Sequence, residues 1–238
     1  MANTYFQFKQ FIIHQDQCSM KVTTDASLFG AWVSSCLENK NSVKTILDIG
    51  SGTGLLSLML AQKTKSEITG IELQVSDYEQ SIQNINGSPW NHRVHVFNAD
   101  VKTYCFGNKY DTIICNPPFY ENDLKGPSAE KNTAHHDNSL KLNELLQIIF
   151  RQLNPDGRFF MLLPPKREEQ LMRLAENHAL SIDQIVRVKQ TEKHGFFRIM
   201  IEGSFEKSET LEKVITIKEN GQYSATFTGL LIDYYLHL

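Results

Sequence analysis

The sequence has few cysteines, and their placement excludes two kinds of small scaffold. The four of them, Cys18, Cys36, Cys105 and Cys115, are scattered over 238 residues without C-x-x-C spacing. This distribution argues against a zinc ribbon and against a disulfide framework, and it is typical of reduced thiols in a cytosolic protein. We therefore expect a cytoplasmic protein whose fold depends on an ordinary hydrophobic core.

Long apolar runs are also missing. The sequence contains no stretch of roughly 18 apolar residues and no basic segment followed by an apolar one at its start, so we expect neither a membrane span nor a signal peptide. The net charge is small as well, since 24 basic and 27 acidic residues give −3. A polyanion such as nucleic acid would therefore have to be bound by a local basic patch.

What is present is an ordinary globular composition. Apolar residues make up 41% and charged residues 21%, and there is no internal repeat or low-complexity linker. A chain of this length fits one large domain. We predict a single domain over 1–238, with an amino-terminal extension at 1–44 that contributes to the site and a carboxyl-terminal strand-and-helix appendage at 206–238.

Short apolar runs alternate with helical patterns from Thr45 onward. Such alternation predicts right-handed crossovers and an α/β fold, with a mostly parallel sheet of seven strands and helices on both faces. The predicted strands cover 45–50, 67–73, 93–100, 110–116, 158–165 and a final pair, SIDQIVRVKQ and FRIMIEGSF, and the predicted helices cover 55–63, 74–86, 139–153 and 166–179.

The segment LDIGSGTGLLSL joins a predicted strand to a predicted helix through a glycine-rich turn. Gly50, Gly52 and Gly54 allow a tight turn and a close approach of a ligand to the backbone. The helix amino terminus behind them favours a carboxylate or a phosphate. The dinucleotide fingerprint G-x-G-x-x-G would require glycine in place of Leu55, so the pattern favours a different nucleoside cofactor. Asp48 stands two residues before the first glycine.

Two further acidic residues close the next predicted strands. Glu72 stands where a doubly wound sheet holds a ribose, and Asp100 stands where an adenine amino group could be read. Acidic residues also cap strand ends and helix starts for structural reasons, so either one alone is ambiguous. Together with Asp48 and the glycine turn, they predict a nucleoside-bearing ligand at the carboxyl edge of the sheet.

The segment DTIICNPPFYEND ends a buried strand abruptly. The polar Asn116 follows the apolar run, and after it come two prolines, which cannot donate to a sheet, and the aromatic pair Phe119-Tyr120. Asn-Pro and Pro-Pro are common in turns, so the segment by itself is also compatible with a simple strand-ending turn.

In this order along the chain, DIGSGTG, Glu72, Asp100 and NPPF resemble the Rossmann-like, class I S-adenosylmethionine-dependent methyltransferases. The resemblance implies that Gly50 to Gly54 surround the methionine end of the cofactor, that Glu72 binds its ribose and that Asp100 faces its adenine. Asp48 belongs to the same cofactor-binding set. NPPF looks like the signature of the branch that methylates exocyclic or amide nitrogens of adenine, guanine or glutamine.

This resemblance gives NPPF a chemical role. An exocyclic amino group is a poor nucleophile because its lone pair is delocalised into the ring. The Asn116 side-chain oxygen and the Pro117 carbonyl would accept its two N–H groups and aim the lone pair at the methyl group, while Phe119 would stack on the base. No metal is expected, since the adjacent His135-His136-Asp137 cannot easily converge on one ion.

Over essentially the whole chain, the sequence resembles the bacterial tRNA(Val) adenine-37 N6-methyltransferases, most strongly at 6–32, 46–54 and 116–119. The resemblance implies S-adenosyl-L-methionine as cofactor and the anticodon loop of a tRNA as partner. It also implies that Lys21 and Thr24 lie near the methionine end of the cofactor. Thr24 or Asp25 could equally cap the helix that follows. We expect a monomer or a weak homodimer.

Other functions stay open at this point. Glutamine methyltransferases of release factors carry a helical domain before the glycine loop, and DNA adenine methyltransferases carry a large recognition domain. The residues before Asp48 and after Phe119 leave little room for either domain. A guanine-N2 methyltransferase of ribosomal RNA shares an NPPF-like tip, and a catalytically inactive adaptor for RNA or protein is the alternative outside enzymes. The expected RNA contacts are basic and aromatic side chains: Lys9, Lys125, Lys131, Lys166, Arg167, Arg198, Phe6, Phe8 and Tyr120.

Overall fold

The computed structural model describes residues 3–38, 42–117 and 140–238. Its strands are β1 (Tyr5–Gln7), β2 (Ile12–His14), β3 (Thr45–Ile49), β4 (Glu67–Glu72), β5 (Val94–Asn98), β6 (Tyr110–Cys115), β7 (Leu153–Leu163), β8 (Ser181–Thr191), β9 (Phe196–Ser204), β10 (Leu211–Glu219) and β11 (Gln222–Tyr223). Its helices are α1 (Thr24–Leu37), α2 (Leu55–Lys63), α3 (Val75–Asn86), α4 (Leu142–Gln152), α5 (Glu168–Asn177) and α6 (Ala225–Leu231), with a 3₁₀ turn at Pro165–Arg167.

Nine strands form one sheet, in the order β11-β10-β8-β9-β7-β6-β3-β4-β5. The neighbours from β7 to β5 are parallel, as are β8 and β10, whereas β9 is antiparallel to both β7 and β8. From β3 the chain adds β4 and β5 on one side and then returns to place β6 on the other side of β3. The strand order therefore reverses between β3 and β6, and open α/β sheets bind their ligands at such a point.

The predicted α/β class, with a mostly parallel sheet and helices on both faces, is confirmed, but the predicted number of seven strands is wrong. β10 pairs in parallel with β8, from Leu211↔Gln184 to Lys218↔Thr191, and β11 turns back on β10. From the sequence, this segment is predicted to be part of an appendage. The first four residues of β10 are exposed and only its centre is buried, so the segment has no continuous apolar pattern that would mark it as a strand of the central sheet. A half-exposed strand of this kind, next to the short outermost strand β11, lacks the apolar run of a strand buried on both faces.

The hydrophobic core lies on both faces of the sheet. Helices α1, α2, α3 and α6 contribute to the core on one face, together with Ile46 and Phe160. Helices α4 and α5 contribute to the core on the other face, together with Leu47 and Phe159. The consecutive residues Ile46 and Leu47 are both completely buried, on opposite faces. Burial on both faces is the reason why β3 is an uninterrupted apolar run in the sequence.

The two ends of the chain pack against each other. The strands β1 and β2 form a hairpin, which the sequence pattern did not predict, and Phe8 just beyond β1 forms a bridge with Tyr235. Phe8 is only 1% exposed. The expectation that Phe8 stacks on RNA is therefore wrong, because the carboxyl-terminal segment covers it. The neighbouring Lys9 donates its backbone N–H to the Tyr234 carbonyl at 2.8 Å and its Nζ to the Ile232 carbonyl at 2.5 Å.

Helix α1 is capped by a residue other than the predicted ones. Thr23 is the N-cap, and its hydroxyl oxygen accepts from the Ala26 N–H at 3.4 Å. The prediction of Thr24 or Asp25 as the cap is wrong because both residues already lie in the first turn, where Asp25 pairs with Arg198 at 2.6 Å. Within the three described ranges, no helix has the length and apolar character needed to cross a membrane.

Candidate active site at the carboxyl edge of the sheet

The sheet register brings the predicted site residues of neighbouring strands to one level. Ile49 pairs with Ile71 on one side and with Cys115 on the other, so Gly50, Glu72 and Asn116 follow at one level, with Glu72 as the last residue of β4 and paired with Asn98. Adjacent strands are about 4.8 Å apart, which places the backbones of Asn116 and Glu72 about 10 Å from each other across β3. This separation leaves room for a small ligand between them, above the end of β3.

The glycine loop presents open space to a ligand. Gly50, Gly52 and Gly54 have φ angles of 69°, 54° and 80°, in the left-handed region that side chains disfavour. A Cβ built on Gly50 or Gly52 would meet no atom within 4 Å among the described residues. The loop is held from behind, where the N–H groups of Gly50 and Ser51 donate to the Ile71 carbonyl at 2.9 and 3.2 Å. The glycines are therefore needed for the turn, and the space in front of them remains free for a ligand.

Glu72 is fixed at the end of β4 by two backbone groups. One carboxylate oxygen accepts from the Gly52 N–H and the other from the Gln74 N–H, both at 2.8 Å. The side chain is 7% exposed, and burial raises the pKa of its carboxyl although these hydrogen bonds act in the opposite direction. Each oxygen keeps further lone pairs. Glu72 can therefore hold the glycine loop and accept from ligand hydroxyls at the same time.

Asp48 is a completely buried acid with one oxygen unused. Its Oδ2 accepts from the Ser57 hydroxyl at 2.7 Å, while Oδ1 has no hydrogen-bond partner in the described part of the chain. Burial raises the pKa of Asp48 to about 7, and the charge of Glu72 adds to the rise. Among the described residues, no lysine or arginine pairs with either carboxylate. Two buried acids without a counter-charge favour a ligand that carries positive charge.

The end of β6 carries the predicted methyl-acceptor site. Asn116 is partly buried and Pro117 is buried, directly after Cys115. Burial, and after it the charges of Asp48 and Glu72, raises the pKa of the Cys115 thiol well above its usual value, which is consistent with all three lying close together. Phe119, predicted to stack on the substrate, lies outside the described residues, as do Tyr120, Lys125, Lys131 and His135 to Asp137.

Asp100 lies in a turn two residues beyond the end of β5. Its Oδ1 accepts from the Lys102 N–H at 2.9 Å, its Oδ2 lies 3.8 Å from Lys102 Nζ, and the side chain is partly exposed. The strand before it ends at Asn98, whose side chain donates to the Glu72 carbonyl at 3.0 Å. The Asp100 carboxylate is thus oriented by its own turn, near the far end of the site from Asn116.

Lys21 and Thr24 belong to a segment that crosses helix α3. Lys21 donates from Nζ to the Asn3 carbonyl at 3.2 Å rather than to the glycine loop, and its side chain is exposed. Thr24 is exposed in the first turn of α1. Both residues are therefore exposed, and no contact among the described residues joins them to the buried carboxylates.

The sequence pattern missed the residues that attach this amino-terminal segment. Asp77, Gln80 and Asn84 on α3 are 6%, 1% and 2% exposed. Asp77 accepts from the Ser19 N–H at 2.7 Å, and Gln80 accepts from the Gln17 N–H at 3.0 Å. These residues follow the i, i+3, i+7 spacing of one helix face, and that spacing is the signal that could have identified them.

Asn84 connects the amino-terminal segment to the glycine loop. Its Nδ2 donates to the Thr53 carbonyl at 2.9 Å and to the His14 carbonyl at 3.0 Å, and its Oδ1 accepts from the His14 N–H at 2.8 Å. One buried amide thus fixes a loop residue and a residue of the segment that leads to Lys21. Among the residues that the structure describes, no group of three or more His, Cys, Asp or Glu side chains could hold a metal ion.

A family model described as "Methyltransferase small domain" matches residues 30–162. Two relatives are named tRNA1(Val) (adenine(37)-N6)-methyltransferase. The one from Christiangramia forsetii is 37% identical and covers 100% of both chains, and the one from Aliivibrio fischeri is 38% identical and covers 98% of both chains. The solved structure of a predicted O-methyltransferase from Agrobacterium tumefaciens is similar with a TM-score of 0.66, over 88% of this chain and 96% of its own. At 14% identity, that likeness shows the fold alone.

Proposed function

Because this chain belongs to the tRNA1(Val) (adenine(37)-N6)-methyltransferase family, we propose that it transfers a methyl group from S-adenosylmethionine to the exocyclic N6 of an adenine in tRNA. The family name points to adenine 37 of tRNA(Val) as the target. The observation that supports this function best is the placement of Asn116 at the same level as the glycine loop and Glu72, with the buried acid Asp48 one strand away and the buried acid Glu72 two strands away.

The residues of the site fit S-adenosylmethionine as a ligand. The cofactor supplies a methyl group on a positively charged sulfonium, and its methionine end carries an ammonium group. Asp48 has a free oxygen and no basic partner among the described residues, so it offers the charge that such a cation requires. We propose that Gly50, Gly52 and Gly54 surround the methionine end, where the missing Cβ atoms of Gly50 and Gly52 leave space.

We base the other proposed cofactor contacts on the positions of the residues along the carboxyl edge of the sheet. Glu72 would accept from the ribose hydroxyls with the lone pairs that its two backbone partners leave free. Asp100, at the end of the site far from Asn116, would face the adenine. Thr24, in the first turn of α1, and Lys21, three residues before it, would lie near the methionine end.

At the other end of the site, we assign the substrate amino group to Asn116 and Pro117. The Asn116 Oδ1 and the Pro117 carbonyl would accept the two N–H groups of the adenine N6 and localise its lone pair. The proline ring fixes φ, and Pro117 is buried. Phe119 would stack on the base. The rate enhancement then comes from positioning and electrostatics, without a covalent intermediate.

The test is a methyl-transfer assay with labelled S-adenosylmethionine. Total tRNA, ribosomal RNA, duplex DNA and a release factor are offered separately, and labelled RNA is digested for nucleoside mass spectrometry. We expect N6-methyladenosine in tRNA. Asn116→Ala should lower the rate by about 100-fold or more while cofactor affinity stays nearly unchanged. Asn91→Ala, an exposed turn residue, is the matched control and should be fully active. Methylguanosine in ribosomal RNA would replace this function with the guanine-N2 alternative.

We also propose that the whole chain acts as one cytoplasmic domain, as a monomer or weak homodimer. The contacts between its two ends support a single unit, since Phe8 bridges to Tyr235 and the hairpin of β1 and β2 sits on the carboxyl-terminal segment. Light scattering behind a sizing column would measure the mass in solution, and a stable tetramer would contradict this assignment.

A further inference from the structure

The hairpin of β8 and β9 extends past the carboxyl edge of the sheet. At the level of Asn116, β7 contributes Leu162, which pairs with Met200 on β9. Strand β9 runs antiparallel, so the residues before Met200 lie beyond that edge. Phe196 lies four residues before Met200 and is therefore about 13 Å beyond the level of Asn116 along the strand direction. Across the sheet it is about 10 Å from Asn116, which corresponds to two strand spacings. The turn of the hairpin thus stands beside the proposed substrate site.

The tip of this hairpin has a defined conformation. The Thr191 hydroxyl lies 2.7 Å from His194 Nδ1 and accepts from the Lys193 N–H at 3.3 Å. The His194 N–H donates to the Thr191 carbonyl at 3.2 Å. These bonds close the turn upon itself and fix the backbone of Lys193, whose side chain is exposed. A lysine on a fixed turn loses little backbone entropy when it binds an anion.

The hairpin is basic in an acidic chain and carries an exposed aromatic ring. Residues 187–198 contain four basic residues and one acidic residue, while the whole chain has a net charge of −3. Phe196 is 44% exposed, and the Arg187 guanidinium lies 6.0 Å from the centre of its ring. Glu168 holds that guanidinium, with one contact at 2.8 Å. Within the described ranges, no ion pair involves Lys189 or Lys193.

We propose that this turn, Thr191–Phe196, is an RNA-contact surface for the tRNA substrate. Lys193 binds the phosphate backbone beside the anticodon loop, and Phe196 packs against an unpaired base or a sugar. The inference rests on the proposed function, because it requires that the base bound at Asn116 belong to an RNA longer than the site itself. Phosphate contacts of this kind supply affinity without reading sequence, and aromatic rings stack on bases of any identity.

Three variants test the surface. Lys193→Glu and Phe196→Ala change the exposed turn, and Lys109→Glu makes the same charge reversal on an exposed lysine just before β6, at the opposite edge of the sheet. Each protein is measured for kcat, for KM with tRNA and with S-adenosylmethionine, and for tRNA binding by fluorescence anisotropy at several salt concentrations. The anisotropy measurement does not depend on turnover.

We expect Lys193→Glu to raise the KM for tRNA about five- to tenfold and to reduce the salt slope of tRNA binding by about one. Phe196→Ala should weaken tRNA binding about fivefold or more without changing that slope, because stacking releases no counterions. In both variants kcat at saturating tRNA and the KM for S-adenosylmethionine should equal those of the wild type, and Lys109→Glu should match it throughout.

The inference would be overturned by a KM for tRNA within twofold of the wild type in both turn variants, or by an equal loss in Lys109→Glu. A fall in kcat at constant KM would also overturn it, because the hairpin would then act on the chemistry. Failure of the proposed function is distinct, since the wild type itself would then methylate no tRNA. In that case the anisotropy series still decides whether the turn binds RNA.

Discussion

Replacement of Asn84 by alanine is expected to weaken cofactor binding, although we assign no cofactor contact to Asn84. Its amide makes three hydrogen bonds, of 2.8, 2.9 and 3.0 Å, and its side chain is 2% exposed. The substitution leaves the His14 N–H, the His14 carbonyl and the Thr53 carbonyl without a partner. Because Thr53 lies within the glycine loop, the loop loses this hydrogen bond to α3.

The magnitude follows from these three bonds. A buried hydrogen bond contributes about 1 kcal/mol net, and a group left unsatisfied costs about 1–3 kcal/mol. Partial entry of water reduces the sum, so we expect the free energy of unfolding to fall by about 3 kcal/mol. For a chain of this size, that loss lowers the melting temperature by about 6–12 °C. We expect the Kd for S-adenosylmethionine to rise about tenfold, which corresponds to about 1.4 kcal/mol of lost loop preorganisation.

Scanning calorimetry and isothermal titration with S-adenosylmethionine measure the two effects separately. Gln80→Ala is the matched control, since Gln80 lies one turn earlier on the same face, is 1% exposed and binds the Gln17 N–H, but has no bond to the glycine loop. It should lower the melting temperature and leave the Kd within twofold. Asn84→Asp keeps an acceptor for the His14 N–H but cannot donate to Thr53, and it should lose affinity as the alanine variant does.

The reasoning would be refuted if Asn84→Ala bound the cofactor as tightly as the wild type. It would also be refuted if Gln80→Ala and Asn84→Ala lost affinity in proportion to their losses of stability. In either case Asn84 would stabilise the fold without positioning the loop.

Three further predictions concern Asp48, Gly52 and Tyr234. The pKa of Asp48, raised to about 7, means that the native state without ligand binds a proton that the unfolded chain releases. Stability should therefore fall as the pH rises from 5 to 7, by at most about 1.4 kcal/mol per pH unit, and urea titrations of Asp48→Asn should show a flatter profile. Gly52→Ala should lower the free energy of unfolding by about 1–2 kcal/mol in calorimetry, because φ is positive at this position. In calorimetric titration the loss of free energy of cofactor binding should exceed this loss of stability, because the new Cβ enters the space of the ligand. Tyr234→Phe removes the 3.0 Å hydrogen bond from the Tyr234 hydroxyl to the Met59 carbonyl, and it should lower the free energy of unfolding by about 1 kcal/mol while cofactor affinity stays unchanged. A loss of cofactor affinity would contradict the assignment of Tyr234 to the core.

Sequence reasoning worked best where a local pattern has one structural solution. The predicted helix at 55–63 is α2 to the residue, and the predicted strands at 45–50 and 67–73 differ from β3 and β4 by one residue each. Both strands are buried on two faces, so their apolar runs are continuous and unambiguous. It predicted a strand and a helix after residue 206 but did not predict that β10 joins the central sheet, because a half-exposed strand does not differ locally from an appendage. It was wrong about Phe8, because a buried terminal aromatic does not differ locally from a surface ring.

The sequence alone determined the α/β class, the glycine loop and the order of the acids at the strand ends, because backbone preference and periodicity act over a few neighbouring residues. Only the tertiary structure decided what covers each surface. The polar face of α3 follows the same spacing as a solvated helix face, yet its members are buried under the amino-terminal segment, and Asn84 bonds to a residue 70 positions away. Periodicity specifies the face on which a side chain lies, whereas contacts between distant segments depend on how the whole chain packs.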